Sequence, residues 1–294
     1  MTGDRIQDIL SGCYSAMDAD PMAGYFWLLA GRKDGTVAKP EVVKGSDGKP
    51  LVVPGGQDVV KSICTQPAAF DWDGDGDLDI MTGNFEGTYW LFRNEGSKDK
   101  ADWNPKAVPV LGPDGPLRLS SAHSALCPVD FDGDGDTDIV SGSASGGAYW
   151  AENTTGAKGD PKFGAFKELL PPPADAHAGS SDVPGESAPM PTAPGSDTRV
   201  WVADVNGDGK SDLLIGDTHR LRSRAAGVSA EEFTKRQDDW NREMAAIQEE
   251  MSRASQDGKP LPAELHKKFS DHYAKQAEFV KQESTGFVWV MLGQ

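Results

Sequence analysis

Three nine-residue acidic runs constrain this chain more than any other feature. Each follows the pattern D-x-[DN]-G-D-G-x-x-D, with oxygen-bearing side chains at positions 1, 3, 5 and 9 and glycines at positions 4 and 6. The runs occupy residues 71–79, 130–138 and 204–212. Glycine tolerates the backbone dihedrals of a tight turn, so such a run can direct its oxygens toward one point. The pattern therefore predicts three closely related loops.

Oxygen-rich loops of this kind suit a hard cation. Calcium takes six to eight oxygens at about 2.3–2.6 Å, whereas magnesium demands strict octahedral geometry and keeps its waters. We therefore predict three Ca²⁺ sites. Position 7 includes Lys210, which cannot bind a cation through its side chain, so we expect the backbone carbonyl to bind there. The predicted ligand residues are Asp71, Asp73, Asp75, Asp77 and Asp79; Asp130, Asp132, Asp134, Asp136 and Asp138; and Asp204, Asn206, Asp208, Lys210 and Asp212.

Two other interpretations of the runs are weaker. A solvated acidic turn explains one run but not three with the same glycine placement, and clustered carboxylates repel each other unless something neutralises them. An EF-hand requires a bidentate glutamate at position 12 and flanking helices. Position 12 is instead Thr82, Ser141 or Ile215.

The residues on both sides of each run predict strands. Apolar, partly β-branched segments follow position 9 and end at a glycine, as in Ile80–Gly83. Similar apolar segments precede position 1, including Ala68–Phe70. The runs should therefore connect strand to strand.

A second marker shows that the chain is a repeat of about sixty residues. A glycine and an aromatic segment ending in tryptophan follow each strand, and the first three tryptophans are 63 and 60 residues apart. We expect Trp27, Trp90, Trp150 and Trp289 to pack between units. Candidate fourth strands lie at 41–43, 108–111 and 166–170. Units of four antiparallel strands are the blades of a β-propeller.

The motif resembles the FG-GAP/VCBS repeat family, the calcium-bearing repeat of integrin-α-like propellers. The resemblance covers residues 3–30, 62–95, 122–152, 198–217 and 285–293. It implies an all-β propeller and maps the family's calcium ligands onto the three acidic runs. The first repeat lacks its opening strand and most ligands, so no site is carried onto Asp4 or Asp8.

We predict one β-propeller domain, or a fragment of one, over residues 1–294, with about four blades or as part of a larger propeller. Two insertions interrupt it. Residues 171–197 carry seven prolines and should form a loop. Residues 229–283 should form a helical hairpin that begins at a Ser229 capping box. Its apolar faces would be Trp240, Met244, Ile247 and Met251, and then Leu265, Phe269, Tyr273, Ala277 and Val280.

Composition narrows the choice of partners. The net charge is −17, which argues against nucleic acid and against anionic membrane surfaces. The sequence contains no stretch that approaches a membrane span. Three cysteines give no disulfide framework, and we expect Cys64 and Cys127 to lie in strands as small buried residues.

Open calcium loops of low affinity work best where calcium is near millimolar. The first residues do not read as a signal peptide, so the expectation is export with the targeting segment missing from this sequence. The expected location is extracellular, periplasmic or at the cell surface.

The sequence contains no nucleophile elbow, zinc pair or phosphate loop, so we expect no enzymatic activity. The expected function is a calcium-binding module for protein or glycan ligands, as in adhesion. The alternative is an accessory or catalytic propeller of a polysaccharide-degrading enzyme, which would show a cleft of polar groups away from the calcium loops. Open sheet edges and the helical hairpin could support self-association. Exposure of Phe233 or Phe279 would favour docking by the hairpin.

Overall fold

The computed structural model describes residues 1–55, 58–156, 160–173, 184–255 and 261–293. The structure is mostly β, with antiparallel sheets that follow one another along the chain. Two compact units are present. The first comprises Met1–Ala176, Ala193–Thr218 and Phe287–Gln294, and the second comprises His177–Thr192 and His219–Gly286.

The first sheet has three short antiparallel strands. They are β1 (Ile9–Ser11), β2 (Trp27–Leu29) and β3 (Glu41–Val42), in the order β1-β2-β3. This confirms that the first repeat lacks an opening strand, because β1 corresponds to the second strand of the later sheets.

The second sheet has the four strands that the repeat predicts. They are β4 (Gln66–Phe70), β5 (Asp79–Gly83), β6 (Tyr89–Phe92) and β7 (Val108–Pro109), which pair in that order. A 3-10 turn at Val59–Lys61 precedes the sheet, and the hairpin of β8 (Leu111–Gly112) and β9 (Gly115–Pro116) follows it. Phe70 pairs with Asp79, so the first acidic run forms the hairpin loop between β4 and β5.

The third sheet repeats this arrangement. Its strands are β10 (Ala125–Val129), β11 (Asp138–Gly142), β12 (Ala148–Ala151) and β13 (Lys167–Leu170). Val129 pairs with Asp138, which makes the second acidic run the β10–β11 loop. Trp150 lies eight residues after Gly142, the last residue of β11, whereas Trp90 lies seven residues after Gly83, the last residue of β5. Trp150 therefore pairs with Val140, whereas Trp90 pairs with Thr82, and the two tryptophans point to opposite sides of their sheets.

The fourth sheet includes one long strand whose residues fall in both units. Its strands are β14 (Ser196–Ala203), β15 (Asp212–Arg224), β16 (Val280–Thr285) and β17 (Val288–Met291). In the first unit β15 pairs with β14 and β17, and in the second unit its later residues pair with β16. Ala203 pairs with Asp212, so the third acidic run forms the loop between β14 and β15. The predicted loop 171–197 was too long by two residues, since Ser196 begins β14, and its residues 174–183 lie outside the described residues.

Apolar side chains from consecutive sheets form the core of the first unit. Successive residues of a strand point to opposite faces, so a strand buried on both faces reads as a continuous apolar run. Ile80 and Met81 are both fully buried, and they belong to different clusters. Ile80 packs with Phe26 of the first repeat, whereas Met81 packs with Ile139 of the third sheet. Each middle sheet is therefore covered on both faces by its neighbours.

A buried hydroxyl links each sheet to the one before it. The hydroxyl residue directly precedes the first strand of its sheet or lies near the start of that strand. The hydroxyl accepts a backbone N–H from the preceding sheet at 3.0 Å and contacts a carbonyl of that same sheet. The three hydroxyl residues are Thr65, Ser124 and Thr198. The N–H donors are Cys13, Asn84 and Ser143, and the carbonyl acceptors are Tyr25, Thr88 and Gly147. We call each of these bridges a hydroxyl clasp.

The fourth sheet closes this position without a hydroxyl. The N–H of Asp217 bonds directly to the carbonyl of Phe287 at 3.1 Å, and these are the groups that a clasp would join. The face of this sheet that does not pack on the third sheet exposes Trp201 (63%), Val288 (73%) and Val290 (50%). At this position the fourth sheet pairs its backbone N–H and carbonyl with each other, whereas each earlier sheet pairs them with a hydroxyl of the next sheet.

The second unit contains the predicted helical hairpin. Helix α1 spans Ala230–Ser255, and helix α2 spans Ala263–Ala274. The Ser229 hydroxyl accepts the N–H of Glu232 at 3.1 Å, as the capping box predicts. Phe233 and Phe279 are buried against each other, with ring centroids 5.8 Å apart, so neither supplies an exposed docking residue. No helix in the described ranges combines the length and the apolar character that crossing a membrane requires.

Three parts of the α2 prediction were wrong. The helix ends at Ala274 and continues as a 3-10 turn, Lys275–Glu278, which contains Ala277. Val280 begins β16 instead of extending the helical face. Tyr273 is half exposed, and the neighbouring His272 is buried in its place, stacked on Trp240 with centroids 5.4 Å apart. The His272 Nε2–H faces the Trp240 carbonyl at 2.9 Å, which lets a polar residue occupy the apolar stripe.

The cysteine predictions had mixed outcomes. All three cysteines are free, and Cys127 is buried within β10 as expected. Cys64 precedes β4, is only partly buried, and has a left-handed backbone (φ 57°), so its placement in a strand was wrong.

Candidate metal centre

The backbone of each acidic run curls because its two glycines adopt left-handed dihedrals. In the first run Gly74 has φ 78° and Gly76 has φ 93°. The corresponding glycines of the other runs have φ between 78° and 95°. Residues with a Cβ avoid this region, so the glycine spacing determines the loop shape.

The position-1 carboxylate organises the loop. The two oxygens of Asp71 accept the N–H groups of Gly74 at 2.9 Å and Gly76 at 3.0 Å. Asp130 and Asp204 make the same pair of bonds to their own glycines. This repeated pattern turns the backbone around one carboxylate in all three runs.

The position-9 carboxylate closes the loop at its base. Asp79 is buried, and its oxygens accept the N–H of Trp72 at 3.1 Å and of Asn94 at 2.6 Å. Asp138 and Asp212 are bonded in the same way. These carboxylates therefore already carry a structural role, and their predicted role as ligands stays a prediction.

Sequence reasoning missed the asparagines that complete this base. Asn94 and Asn153 are buried, each donates its backbone N–H to position 9, and each side-chain oxygen accepts two further backbone N–H groups. A signal was present in the sequence, because each asparagine follows the repeat tryptophan by three or four residues.

Positions 1, 3 and 5 converge on one point in the first two runs. Carboxylate oxygens of Asp71, Asp73 and Asp75 all lie within 4.8 Å of one another, and so do those of Asp130, Asp132 and Asp134. In the third run Asn206 takes position 3, and its side-chain amide donates to Asp208 at 3.2 Å. The structure therefore brings together the oxygens that the sequence selected at these three positions.

Position 7 carries a buried side chain in two runs, and the expected binding of its backbone carbonyl stays a prediction. The side chains of Asp77 and Asp136 are buried, and the Oδ1 of each lacks a hydrogen-bond partner in the described residues. Asp73 Oδ1 is buried and unpartnered in the same way. Lys210 is exposed, so the reasoning from lysine applies to the third run alone. Buried carboxylate oxygens without a donor are costly, and a cation would satisfy them.

The electrostatics of the first two runs also favour a cation. Burial raises the pKa of Asp77, and the carboxylates of Asp75, Asp73 and Asp71 raise it further. Burial raises the pKa of Asp79 to about 6. Burial likewise raises the pKa of Asp136 and of Asp138. Each raised pKa means that the folded chain disfavours the charged form of that carboxyl group relative to its protonated form. A bound divalent cation would favour the charged form instead.

The first run has one internal cation nearby. Arg93 donates to Asp73 at 2.6 Å and also pairs with Asp160, which accepts the indole N–H of Trp72. The arginine neutralises part of the charge of this run, so the three loops do not present equal fields to an ion.

The N-terminal copy of the loop keeps the backbone but lacks the ligands. Gly3 and Arg5 are left-handed at the positions of the two glycines (φ 78° and 66°). The N–H of Ile6 bonds to Asp4, and the N–H of Gly31 bonds to Asp8, both at 2.9 Å. Position 3 of this copy is Thr2, which carries no carboxylate, and the expectation that neither Asp4 nor Asp8 belongs to a site stays a prediction.

Comparison with known proteins supports the repeat. Among curated proteins, no match to the chain was found. Residues 71–141 and 130–215 match the FG-GAP-like repeat, and each match contains two of the three acidic runs. Residues 71–215 of this chain are therefore similar to the FG-GAP-like repeat.

Proposed function

We propose that the protein is a calcium-binding β-propeller module that acts outside the cytoplasm as a non-catalytic binding or adhesion protein. Its successive four-stranded sheets would be the blades, and each acidic run would hold one Ca²⁺ between two strands of a blade. The observation that carries this proposal is the set of buried, unpartnered carboxylate oxygens on Asp73, Asp77 and Asp136. A structure that buries such oxygens is stabilised when a hard cation coordinates them.

Calcium fits this donor set better than transition metals do. Every candidate ligand is a carboxylate, an amide oxygen or a backbone carbonyl, and soft or borderline metals prefer thiolate or imidazole. The position-1 carboxylate of the second run already accepts hydrogen bonds from two glycine N–H groups, and the residues at positions 3 and 5 of that run are exposed. We therefore expect dissociation constants on the order of 10⁻⁴–10⁻³ M, as in extracellular calcium modules. Such affinity supports the proposed location outside the cytosol.

Calorimetric titration of the chelator-stripped chain tests the sites. We expect three equivalents of calcium for the native chain and two for Asp132→Ala. Asp114→Ala is the matched control, because Asp114 is an exposed aspartate outside the runs. A stoichiometry of three for Asp132→Ala would show that the ligand assignment is wrong.

Thermal unfolding tests whether the ions are structural. A ligand that binds only the folded chain raises the melting temperature by mass action. Excess chelator should therefore lower the melting temperature, and added calcium should restore it. An identical melt in chelator and in calcium would contradict a structural role.

The surface opposite the calcium loops supports binding over catalysis. A cavity of about 360 Å³ lies where β4 and β10 begin, whereas the acidic runs follow the ends of those strands. Its lining, taken from the described residues, contains Arg199 and Gln66 but no carboxylate and no imidazole. Hydrolysis of polysaccharides commonly relies on a pair of carboxylates. We therefore favour a binding module for protein or glycan over the polysaccharide-degrading enzyme.

A further inference from the structure

The cavity opposite the calcium loops draws its walls from all four repeats of the first unit. Tyr14 comes from the first repeat, Gln66 from the second, Leu126 from the third and Arg199 from the fourth. Its volume of about 360 Å³ lies within the range of small-molecule sites, about 300–1,000 Å³. We call it the Arg199 cavity.

Arg199 is the cation of this cavity. Its guanidinium donates to two backbone carbonyls, Thr198 at 2.9 Å and Asp197 at 3.3 Å. Within the described ranges no carboxylate lies within 4.0 Å of it. Arg199 is an exposed residue, and desolvation by the surrounding protein lowers the pKa of its guanidinium. In a chain of net charge −17, an arginine placed in this way offers unused donors to an anion.

Asp197 is the acidic residue whose charge acts on Arg199. The Asp197 carboxylate lies 3.6 Å from Nδ1 of His123. His123 in turn packs its ring against Phe85, with centroids 4.7 Å apart. The charge of Asp197 also acts on Arg199, since it raises the pKa of the guanidinium, and Arg199 lines the cavity.

An exposed aromatic ring stands on another wall. Tyr14 lines the cavity and is 58% exposed, although its ring meets the edge of Phe85 at 6.5 Å. A large, exposed and positioned aromatic ring is suited to stacking on a flat or weakly polar ligand face. Gln66 adds an amide that can donate and accept hydrogen bonds with hydroxyl groups.

The backbone around the cavity is strained in a repeated way. Cys64, His123 and Asp197 are non-glycine residues with φ of 57°, 59° and 51°, and each stands one residue before a clasp hydroxyl. Left-handed backbone is unfavourable at a non-glycine residue, and such strain clusters at functional sites. Cys64 lines the cavity, and Asp197 precedes Arg199 by two residues.

We propose that the Arg199 cavity binds an acidic saccharide, with a uronate carboxylate on the Arg199 guanidinium and the sugar ring against Tyr14. This inference rests on the proposed function, because it names the ligand class of the glycan-binding module. Arginine recognises planar carboxylates through paired N–H donors. The aromatic wall and the amide favour a sugar over a simple carboxylate.

Calorimetry on the full, calcium-saturated chain tests this proposal with defined probes. Sodium glucuronate and digalacturonate should bind, and glucose should bind at least about tenfold more weakly, since a hydrogen bond to a charged group is worth roughly that factor. Arg199→Gln should weaken glucuronate about tenfold or more while leaving glucose unchanged. Arg32→Gln is the matched control, because Arg32 is exposed and does not line the cavity. Tyr14→Ala should weaken glucuronate and glucose alike.

Each other outcome overturns the assignment. If the native chain and the Arg199→Gln variant bind glucuronate with equal affinity, Arg199 does not contact the ligand. Equal affinity for glucuronate, acetate and an acetylated dipeptide indicates a carboxylate or peptide-terminus site instead of a saccharide site. Absence of uronate binding in a chain that still binds three calcium ions removes this inference alone and leaves the calcium proposal intact. If Arg199→Gln melts early, Tyr14→Ala tests the site independently, and unchanged glucuronate affinity in that variant overturns the proposal.

Discussion

The hydroxyl of Thr198 accepts a hydrogen bond from the backbone N–H of Ser143 at 3.0 Å, across 55 residues of sequence. The same hydroxyl lies 2.7 Å from the Gly147 carbonyl, which allows it to donate there. Both partners belong to the third sheet, and Thr198 belongs to the fourth. One side chain thus satisfies two backbone groups of a neighbouring sheet.

Removing this hydroxyl should destabilise the first unit. Thr198→Val keeps the side-chain shape but leaves a buried N–H and a buried carbonyl without partners, at a cost of about 1–3 kcal/mol. Urea unfolding of the calcium-saturated chain measures the change. Thr154→Val is the control, because its hydroxyl bonds a carbonyl at an exposed site. A loss below about 0.5 kcal/mol would mean that Ser143 and Gly147 pair directly, as Asp217 and Phe287 do.

Replacing the glycines beside the clasps with alanine should destabilise the fold, because backbone atoms of the next sheet lie close to the added Cβ. A Cβ at Gly83 would lie 1.9 Å from the Ser124 carbonyl oxygen, and one at Gly142 would lie 2.3 Å from that of Thr198. Backbone atoms cannot yield cheaply, so each substitution should cost about 3 kcal/mol or more.

Gly216 is the matched control for these substitutions. Its nearest neighbour to an added Cβ is 3.9 Å away, which is ordinary contact. Gly216→Ala should therefore be neutral or stabilise by about 0.4–1 kcal/mol, because alanine restricts the unfolded chain. Similar losses at Gly83, Gly142 and Gly216, measured by urea unfolding, would contradict the assignment of the covered and uncovered faces.

The chelator-stripped chain should become more stable as the pH falls from 7 toward 5. The pKa of folded Asp79 is about 6, above the ~3.9 of an unfolded aspartate. Between these values the folded chain binds more protons than the unfolded chain, so stability decreases as the pH rises through this window. The raised pKa values of Asp77, Asp136 and Asp138 act in the same direction.

Denaturant titrations at several pH values in chelator measure this slope. Asp79→Asn should flatten it, although the variant will be less stable overall because an amide oxygen cannot replace both acceptors. A metal-free chain whose stability rises between pH 5 and pH 7 would contradict the assigned shifts.

The second unit should depend on its buried phenylalanine pair. Phe279→Ala removes a ring that is 4% exposed and in contact with Phe233, and such a truncation costs about 3–5 kcal/mol. Tyr273→Ala is the control, since Tyr273 is half exposed on α2. Helical circular dichroism during thermal unfolding should show an early loss for Phe279→Ala and almost none for Tyr273→Ala. Equal shifts would show that the hairpin core lies elsewhere.

The strand–loop–strand units were predictable because their signals are local. Glycine spacing determines the loop, and an apolar run such as Ile80–Gly83 determines the strand, without reference to distant residues. The burial of Asp77 was not predicted, because it depends on the tertiary surroundings of the loop, which a comparison with Lys210 cannot reveal. The convergence of positions 1, 3 and 5 followed from the pattern alone.

Other features were visible in the sequence but not recognised. Thr65, Ser124 and Thr198 each stand six residues before position 1 of their acidic run, so the clasp had a fixed spacing. Trp150 also lies one residue farther from its preceding strand than Trp90 does, but the effect on the side of the sheet that it occupies emerges only when strands are paired. The end of α2 could not be placed, because Val280 suits a helix face as well as a strand, and β15 decides between them.

The direct Asp217–Phe287 hydrogen bond also bears on how arrays of this kind change in evolution. A sheet that forms this hydrogen bond within itself leaves no backbone N–H without a partner when no neighbouring sheet covers it. Deleting or duplicating the coding DNA of a whole repeat therefore does not leave unpaired backbone groups in the remaining repeats. Unequal crossing-over can then alter the number of repeats while each surviving unit keeps its internal bonding.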